Sequence, residues 1–210
     1  MEQGSQEWLE IRLGKVTASR VADVIAKTKS GPAATRANYM AELICERLTG
    51  ACQPFFQNDA MRWGTATEPE ARLAYSFRHD ADVTQVAFVA HPSIQMAGAS
   101  PDGLVFDDGL VEIKCPNTAT HLDTLASEKP AGKYVTQMQW QMACTGRQWC
   151  DFVSYDPRLP EHLRLFVTRI PRDDTAIAEM EAEVRAFLSE LDARLDDLNR
   201  RYGEQLKEAA

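Results

Sequence analysis

The sequence predicts a mixed α/β (α+β) protein, and three observations favour this class. Apolar residues recur at helical spacing before residue 80 and after residue 173. Short apolar runs bounded by turn residues lie between these segments and predict strands. The chain has 210 residues, and this length fits one domain of about 150 residues better than two. We therefore expect residues 1–210 to form a single domain.

Three helices are predicted in the first part of the chain. Thr17 and Ser19 precede an apolar face at 21–25, which indicates a helix start. A second helical pattern covers 39–48 and ends at Gly50. A third covers 67–77, where Pro69 suits the first turn of a helix.

The rest of the chain changes from a strand pattern to a helical one. Strands are predicted at 83–89, 94–99, 104–106 and 110–115. A helix at 133–144 and strands at 150–154 and 163–170 follow. A long helix begins near Asp173 and carries an apolar stripe over 177–202. This stripe packs either on the core of its own domain or on another subunit.

Composition limits the class of function. The chain carries 23 Lys+Arg, 31 Asp+Glu and a net charge of −8, which argues against a protein that coats nucleic acid uniformly. The charge is uneven, however: residues 12–47 hold seven Lys/Arg and three Asp/Glu, whereas residues 156–210 hold nine and thirteen. Such segregation is compatible with a positively charged channel inside an acidic rim.

The sequence favours a cytoplasmic protein without membrane contact. Its start lacks a basic segment followed by an apolar one, and no apolar run approaches the roughly 20 residues of a membrane span. The five cysteines contain no C-x-x-C pair. This spacing argues against a zinc ribbon or an iron–sulfur site and favours reduced, buried thiols.

The segment with the clearest chemistry is Ser100-Pro101-Asp102-Gly103, followed by Glu112-Ile113-Lys114. Side chains alternate along a strand, so Glu112 and Lys114 project to the same face while Ile113 faces the core. The intervening hairpin brings this strand back beside Asp102. We therefore expect two carboxylates and an ammonium group at one end of a sheet.

This set of groups suits metal-dependent phosphodiester hydrolysis. Carboxylates are hard ligands for Mg²⁺ or Mn²⁺, and the Ile113 backbone carbonyl is a further candidate ligand. Lys114 can orient the attacking water, accept its proton or stabilise the charge on the phosphorane. The spacing alone is equally compatible with a turn aspartate and a surface Glu–Lys pair that share no site.

The chain resembles the phage recombination exonucleases of the lambda type, a family of PD-(D/E)xK nucleases. The resemblance rests on six segments in a fixed order, namely Trp8-Leu9-Glu10-Ile11-Arg12-Leu13-Gly14-Lys15-Val16-Thr17-Ala18-Ser19, Trp63-Gly64-Thr65-Ala66-Thr67-Glu68, Ser100-Pro101-Asp102-Gly103-Leu104, Glu112-Ile113-Lys114-Cys115-Pro116, Gln137-Met138-Gln139 and Tyr155-Asp156-Pro157-Arg158. It implies a restriction-endonuclease-like core with a central mixed sheet flanked by helices, ending in a long C-terminal helix.

The resemblance also assigns roles to residues. Asp102, Glu112 and the Ile113 carbonyl would bind Mg²⁺, Lys114 would act on the attacking water, and Glu68 would serve a second ion or its waters. Gln137 and Gln139 lie on different faces of a helix, and Gln139 is the one expected to face the catalytic centre. The residues implied to contact DNA or a terminal 5′-phosphate are Arg12, Thr17, Ser19, Ser100 and Gln137.

Three of these assignments have simpler alternatives or a weaker basis. Arg12 can be read as a surface arginine, although a guanidinium suits phosphate. Glu68 can be read as an acid that favours the first turn of a helix. The loop between the first two helices shows no residue-level match, and its neighbourhood offers Arg36, Tyr39 and Met40 as candidates for duplex contacts.

The function implied is a Mg²⁺-dependent, processive 5′→3′ exonuclease, encoded by a phage or prophage, acting in the bacterial cytoplasm. It would degrade one strand of linear duplex DNA to mononucleotides and leave a 3′ overhang. A toroidal homotrimer and a phage-type single-strand annealing protein are the implied partners. The alternatives are an endonuclease or junction resolvase on the same core, and a nuclease-like module that only binds DNA.

Overall fold

The computed structural model describes residues 3–29, 31–52 and 58–203. Its helices are α1 (Gln6–Arg12), α2 (Val21–Val24), α3 (Ala34–Thr49), α4 (Asp59–His79), α5 (Thr118–Ser127), α6 (Gly132–Thr145), α7 (Glu161–Arg164) and α8 (Asp174–Gly203). Its strands are β1 (Val16–Thr17), β2 (Lys27–Thr28), β3 (Gly31–Pro32), β4 (Val83–Thr84), β5 (Val89–Ala90), β6 (Ala97–Ala99), β7 (Gly103–Val105), β8 (Gly109–Lys114), β9 (Trp149–Tyr155) and β10 (Leu165–Pro171).

A mixed five-stranded sheet forms the centre of the fold. Its strand order is β10-β9-β8-β7-β4, and the pairs are antiparallel except for β8 and β9, which run parallel. A smaller sheet of order β1-β6-β5 carries the segment before β7. The predicted mixed α/β class and the long C-terminal helix are confirmed, and the prediction of a single domain stays a prediction.

Helices cover both faces of this sheet. On one face, Leu110 and Phe152 pack into a large core with residues of α2, α3, α6 and α8. On the other, Val111 and Val153 pack against Ala71 of α4. Because β8 is covered on both sides, five of its six residues are buried, and Leu110, Val111 and Ile113 are apolar. Glu112 is therefore a charged residue placed inside a core strand.

The helices differ from the prediction in two places. Helix α4 begins at Asp59, after Asn58 accepts a hydrogen bond from the Met61 backbone amide, and not at 67 as predicted. Pro69 consequently lies inside the helix. The segment around Ser19 forms a short 3₁₀ turn, Ala18–Arg20, followed by the four-residue α2, so no extended helix begins there. The structure also contains α1, α5 and the four-residue α7, which the apolar pattern did not reveal.

The apolar stripe of helix α8 packs on the core of its own chain. Its residues Ile177, Val184 and Phe187 are buried in the core of the same chain. Acidic residues at the flanks of this stripe form ion pairs with the basic N-terminal segment. Of the described helices, none has the length and apolar character needed to span a membrane.

Candidate active site

The hairpin of β7 and β8 brings Asp102 to Glu112. The two strands pair with Gly103 opposite Val111, so one further step in the same register places Asp102 opposite Glu112. Residues facing each other in such a pair have Cβ atoms about 5 Å apart. Gly103 is needed at this point because a Cβ atom there would lie 2.2 Å from Val83 Cγ1.

Glu112 is completely buried and is surrounded by donors. Gln137 Nε2 donates to its Oε1 and Gln141 Nε2 donates to its Oε2, each over 2.6 Å. The Lys114 ammonium forms an ion pair with Oε1. A carboxylate without partners is costly to bury. Both oxygens of Glu112 have donors, so the buried group is satisfied.

Asp102 is held in place by the strand that it faces. Its Oδ2 accepts a hydrogen bond of 2.7 Å from the Ile113 backbone amide. In an extended strand the N–H and C=O groups of one residue point to the same edge. The Ile113 carbonyl therefore opens toward the side on which Asp102 lies, as its predicted role as a ligand requires.

The charges of this cluster influence each other strongly. Burial, followed by repulsion from Glu112, raises the pKa of Asp102 well above its usual range. Burial alone would lower the pKa of Lys114, but attraction to Glu112 and Asp102 outweighs it and raises that pKa. Lys114 is therefore an ammonium ion at neutral pH and serves as a donor in this state of the site.

Glu68 lies at the edge of the same cluster. Burial raises its pKa, and its charge interacts with those of Arg72, Lys114 and Glu112. Arg72, one turn later on α4, forms an ion pair with it. Because α4 begins at Asp59, Glu68 lies well inside the helix, and its reading as a first-turn acid is wrong.

The prediction that Gln139 faces the catalytic centre is wrong. Its Nε2 donates to the Pro171 carbonyl over 2.8 Å, and its Oε1 accepts from the Asp173 backbone amide over 2.9 Å. It therefore joins α6 to the turn between β10 and α8. The helix turns by about 100° per residue, so Gln137 and Gln141 share one face and Gln139 occupies another.

Gln141 was absent from the predicted site, although its signal is present in the sequence. It lies four residues after Gln137. Two amides at positions i and i+4 of a helix project from the same face, so both can donate to one carboxylate. Gln137, predicted as a DNA contact, in fact donates to Glu112.

A cleft of about 1230 Å³ lies beside the acidic cluster, and Glu68 and Arg72 line it. The predicted contact residues Arg12, Thr17 and Ser19 line the same cleft. Ser19 is exposed and Thr17 is buried. The cleft therefore joins the predicted phosphate contacts to Glu68, one of the predicted acidic residues.

Arg12 and Ser100 meet at this cleft. Arg12 Nη1 donates to Ser100 Oγ over 3.0 Å, and the guanidinium lies 3.9 Å from the centre of the Trp8 ring. Trp8 Nε1 donates to the same hydroxyl over 3.0 Å. Ser100 Oγ accepts both bonds, so its own proton remains available for an acceptor such as a phosphate oxygen.

Within the described part of the chain no carboxylate forms a close ion pair with Arg12, although the charge of Glu46 also acts on it. Burial lowers its pKa to about 10, which leaves it charged at neutral pH but poorly solvated. The neighbouring Arg20, by contrast, pairs with Asp23 and Glu42. Arg12 is therefore the better candidate for binding an anion in this cleft.

The three candidates for duplex contacts are used inside the fold. Tyr39 is 2% exposed and Met40 1% exposed, so the prediction that they contact DNA is wrong for both. The guanidinium of Arg36 forms an ion pair of 2.8 Å with Glu190 and lies over the Phe187 ring. Helix α3 turns this face toward α8, where Tyr39 stacks on Phe187.

The segregated charges also pair internally. Lys27, Arg36 and Arg47 of the basic segment form ion pairs with Glu183, Glu190 and Asp192 of α8. These ion pairs with α8 neutralise three basic residues of the segment 12–47. The excess of positive charge in that segment therefore does not by itself indicate a basic channel. Arg12 and Lys15 remain at the cleft.

Asp156 of the Tyr155-Asp156-Pro157-Arg158 segment fastens the end of β9 next to the site. Its carboxylate accepts hydrogen bonds from the Arg158 guanidinium and from Thr118 Oγ1 at the start of α5. Burial would raise its pKa, but these hydrogen bonds outweigh burial and lower it to about 2. This segment of the resemblance thus has a structural role.

Asp156→Asn is expected to lower the free energy of unfolding by about 1 to 2 kcal/mol at pH 7. Because the folded pKa is depressed, the stabilisation is present above about pH 4, the unfolded pKa, and disappears as the pH falls toward 2. Urea unfolding of both proteins at pH 7 and pH 3 measures this. An equal difference at the two pH values would contradict the role of the charge.

The residues present fit a divalent cation. No three His, Cys, Asp or Glu side chains of residues 3–29, 31–52 and 58–203 lie close enough to hold an ion together. Mg²⁺ does not require such a group, since it binds one or two carboxylates and completes its shell with waters and substrate oxygens. The three carboxyl groups of Asp102, Glu112 and Glu68 outnumber the two basic groups of Lys114 and Arg72. This excess of acidic groups favours a cation between them.

Comparison with known proteins places this geometry in a family. A family model described as "YqaJ-like viral recombinase domain" matches residues 7–148. The alkaline exonuclease (LHK-Exo) from Laribacter hongkongensis is 57% identical, with a TM-score of 0.91 over 96% of this chain and 100% of that chain. The same values hold for the structure of LHK-Exo in complex with dAMP.

Two more distant relatives agree in fold or sequence. The phage related exonuclease from Haemophilus somnus 129PT is 17% identical, with a TM-score of 0.72 over 88% of this chain and 96% of that chain, and supports the fold alone. The uncharacterized protein R354 of Acanthamoeba polyphaga mimivirus is 26% identical over an alignment of 168 residues, which covers 72% of this chain and 29% of that protein. The chain thus spans less than a third of R354.

The resemblance to phage recombination exonucleases is confirmed by the family match and by the alkaline exonuclease. The residues of the family match include the hairpin that carries Asp102 and Glu112 and the helix that carries Gln137 and Gln141. The chain belongs to the YqaJ-like viral recombinase family.

Proposed function

We propose that the protein is a metal-dependent exonuclease that degrades the 5′-ended strand of linear duplex DNA to mononucleotides and leaves a 3′ overhang. The observation that carries the proposal is that two features adjoin through Glu68. Asp102, Glu112 and Lys114 form a cluster suited to cutting a phosphodiester. Glu68, whose charge interacts with that cluster, lines a cleft that Arg12 also lines, and Arg12 is hydrogen-bonded to Ser100.

The metal proposed at Asp102 and Glu112 is Mg²⁺, in one or two ions, and when bound it would activate water and neutralise charge on the scissile phosphate. Lys114 donates from an ammonium group toward the same place. Its role is to orient the attacking water or to stabilise the phosphorane, since its raised pKa makes it a poor base. Glu68 is proposed to bind a second ion or its waters.

The relatives support this assignment. The protein that is 57% identical is an alkaline exonuclease. It has also been crystallised with dAMP, a nucleoside monophosphate of the kind that an exonuclease releases from DNA. Mg²⁺ dependence, direction and processivity belong to the proposal for this chain.

The proposal extends to assembly and partners. A ring-shaped homotrimer would keep DNA enclosed between cuts, and a single-strand annealing protein would receive the 3′ overhang. Light scattering of the purified full chain measures its mass directly. A monomeric mass at micromolar concentration would contradict the ring and leave the nuclease assignment standing.

Incubation with linear and covalently closed circular duplex, in Mg²⁺ or EDTA, tests the activity. The proposal predicts release of mononucleotides from linear DNA in Mg²⁺ alone. Cutting of closed circles at an equal rate would favour the endonuclease alternative. Binding of DNA without cutting in Mg²⁺ would favour the non-catalytic module.

Arg12→Ala is expected to remove most of the preference for 5′-phosphorylated over 5′-hydroxyl ends. A charge-assisted hydrogen bond contributes about 1.5 to 3 kcal/mol, which corresponds to about 10- to 100-fold in relative rate. The ratio of initial rates on the two linear duplexes measures it.

Arg20→Ala is the matched control for Arg12→Ala. Arg20 lines the same cleft, but its charge is already paired with Asp23 and Glu42, so the end preference should remain. Loss of the preference in both variants would show that general positive charge, and not a pocket built on Arg12, selects the end.

A further inference from the structure

Gln141 is the residue of the cluster whose purpose the fold does not explain. It is fully buried on α6, and its Nε2 donates to Glu112 Oε2 over 2.6 Å. Its Oε1 atom is also buried and has no hydrogen-bond partner within the described residues. An unpaired buried acceptor destabilises a fold, so a methionine or leucine would suit a purely structural position better.

The charge of Glu112 explains this orientation. If the amide were reversed, its oxygen would face the carboxylate and its nitrogen would take the unpartnered position. Repulsion between the two oxygens prevents that arrangement. The Gln141 amide is therefore oriented by the carboxylate that it serves, at the expense of its own carbonyl.

The three donors on Glu112 are not equivalent. Gln137 and Lys114 both contact Oε1, whereas Gln141 is the side chain that holds Oε2. Gln137 and Lys114 are partly exposed and can move aside for substrate or metal. The buried Gln141 stays in place and fixes the rotation of the carboxylate about its Cγ–Cδ bond.

We propose that Gln141 is a positioning residue that orients Glu112 for the divalent cation. The inference rests on the proposed function in one respect, namely that Glu112 is a metal ligand. Partners that orient metal-binding carboxylates typically contribute 10- to 100-fold to affinity. Gln141 touches neither DNA nor the ion in this account and acts only through Glu112.

Gln139 provides a matched control on the same helix. It is the same residue type and is 5% exposed, and it makes two hydrogen bonds to the β10–α8 turn. Gln139→Met therefore removes buried amide contacts from α6 without touching Glu112. Any effect of general damage to the helix would appear in both variants.

The test measures Mn²⁺ binding to the full chain in the absence of DNA, by the loss of the free-ion signal in electron paramagnetic resonance. Gln141→Met is expected to raise the Kd for Mn²⁺ by about tenfold or more. Gln139→Met is expected to leave the Kd within about twofold and to lower the unfolding temperature. High Mg²⁺ should restore the rate of DNA degradation in Gln141→Met without changing KM for DNA ends.

An unchanged Kd in Gln141→Met, or an equal rise in Gln139→Met, would overturn the proposal. Gln141→Asn, whose amide is one methylene too short to reach Oε2, replaces Gln141→Met if that variant does not fold. Failure of the proposed function can be distinguished from failure of the Gln141 proposal. If Gln141→Met weakens Mn²⁺ binding but the native protein leaves linear DNA intact, the role of Gln141 stands and the nuclease proposal is wrong. A protein that binds no Mn²⁺ before substitution overturns the Gln141 assignment, and the digestion assay decides the nuclease separately.

Discussion

Lys114→Ala is expected to lower the rate of DNA degradation by about a thousandfold or more while the protein stays folded. Lys114 provides the ammonium group beside Glu112 and Asp102. Positioned proton donors and fixed charges at a reacting phosphate each contribute about 10²- to 10⁴-fold. Alanine removes this group without adding volume to the β8 strand.

Single-turnover digestion of linear duplex in saturating Mg²⁺ measures this loss, and circular dichroism reports folding. Lys129→Ala is the matched control, because Lys129 is exposed just after α5. Its removal should leave the rate of DNA degradation unchanged. DNA binding in Ca²⁺ or EDTA should persist in Lys114→Ala. Native rates in this variant would remove Lys114 from the site.

Asp102→Asn is expected to change activity and stability in opposite directions. The asparagine Oδ1 can still accept the hydrogen bond from the Ile113 amide, so the turn is preserved. Degradation of DNA should fall by about a thousandfold or more, because a neutral amide is a poor ligand for Mg²⁺. Without metal, however, the variant should unfold at a higher temperature than the native protein at pH 7.

The sign follows from the raised pKa of Asp102. Burial and Glu112 disfavour its ionised form in the folded state, so ionisation destabilises the metal-free protein as the pH rises above the unfolded pKa. Mg²⁺ reverses this cost for the native protein by binding the folded state. Asp102→Asn should therefore show a higher melting temperature in EDTA and a smaller shift on addition of Mg²⁺.

Thermal unfolding of both proteins at pH 7, with EDTA and with Mg²⁺, gives four melting temperatures that decide the matter. A variant that is less stable than the native protein in EDTA would show that the buried Asp102 carboxylate stabilises the fold. An equal Mg²⁺ shift in both proteins would show that the ion binds elsewhere.

The cluster of Asp102, Glu112 and Lys114 was the most predictable part of the molecule. Strand alternation alone places Glu112 and Lys114 on one face, and the hairpin places Asp102 opposite Glu112, because both rules depend only on local geometry. The mixed α/β class followed from the order of helical and strand patterns. The start of α4 was missed because the residues before 67 carry little apolar periodicity.

The roles of single side chains on helices were harder to predict. Gln137, Gln139 and Gln141 are two residues apart along α6, and only the packing of that helix decides which of them meet Glu112. Tyr39 and Arg36 are of residue types that commonly contact nucleic acids, but in this fold α8 covers them. The positive charge of residues 12–47 likewise meets the acidic face of α8, a pairing between distant segments that no local pattern reveals.

Digestion of linear duplex that carries one label at the 5′ end or at the 3′ end, each with a 5′-phosphate, in Mg²⁺ and in EDTA, tests the proposed activity most directly. A metal-dependent 5′→3′ exonuclease releases the 5′ label early as a mononucleotide, retains the 3′ label in long products, and releases nothing in EDTA. Early release of the 3′ label would rule out this direction, and digestion that continues in EDTA would rule out the metal.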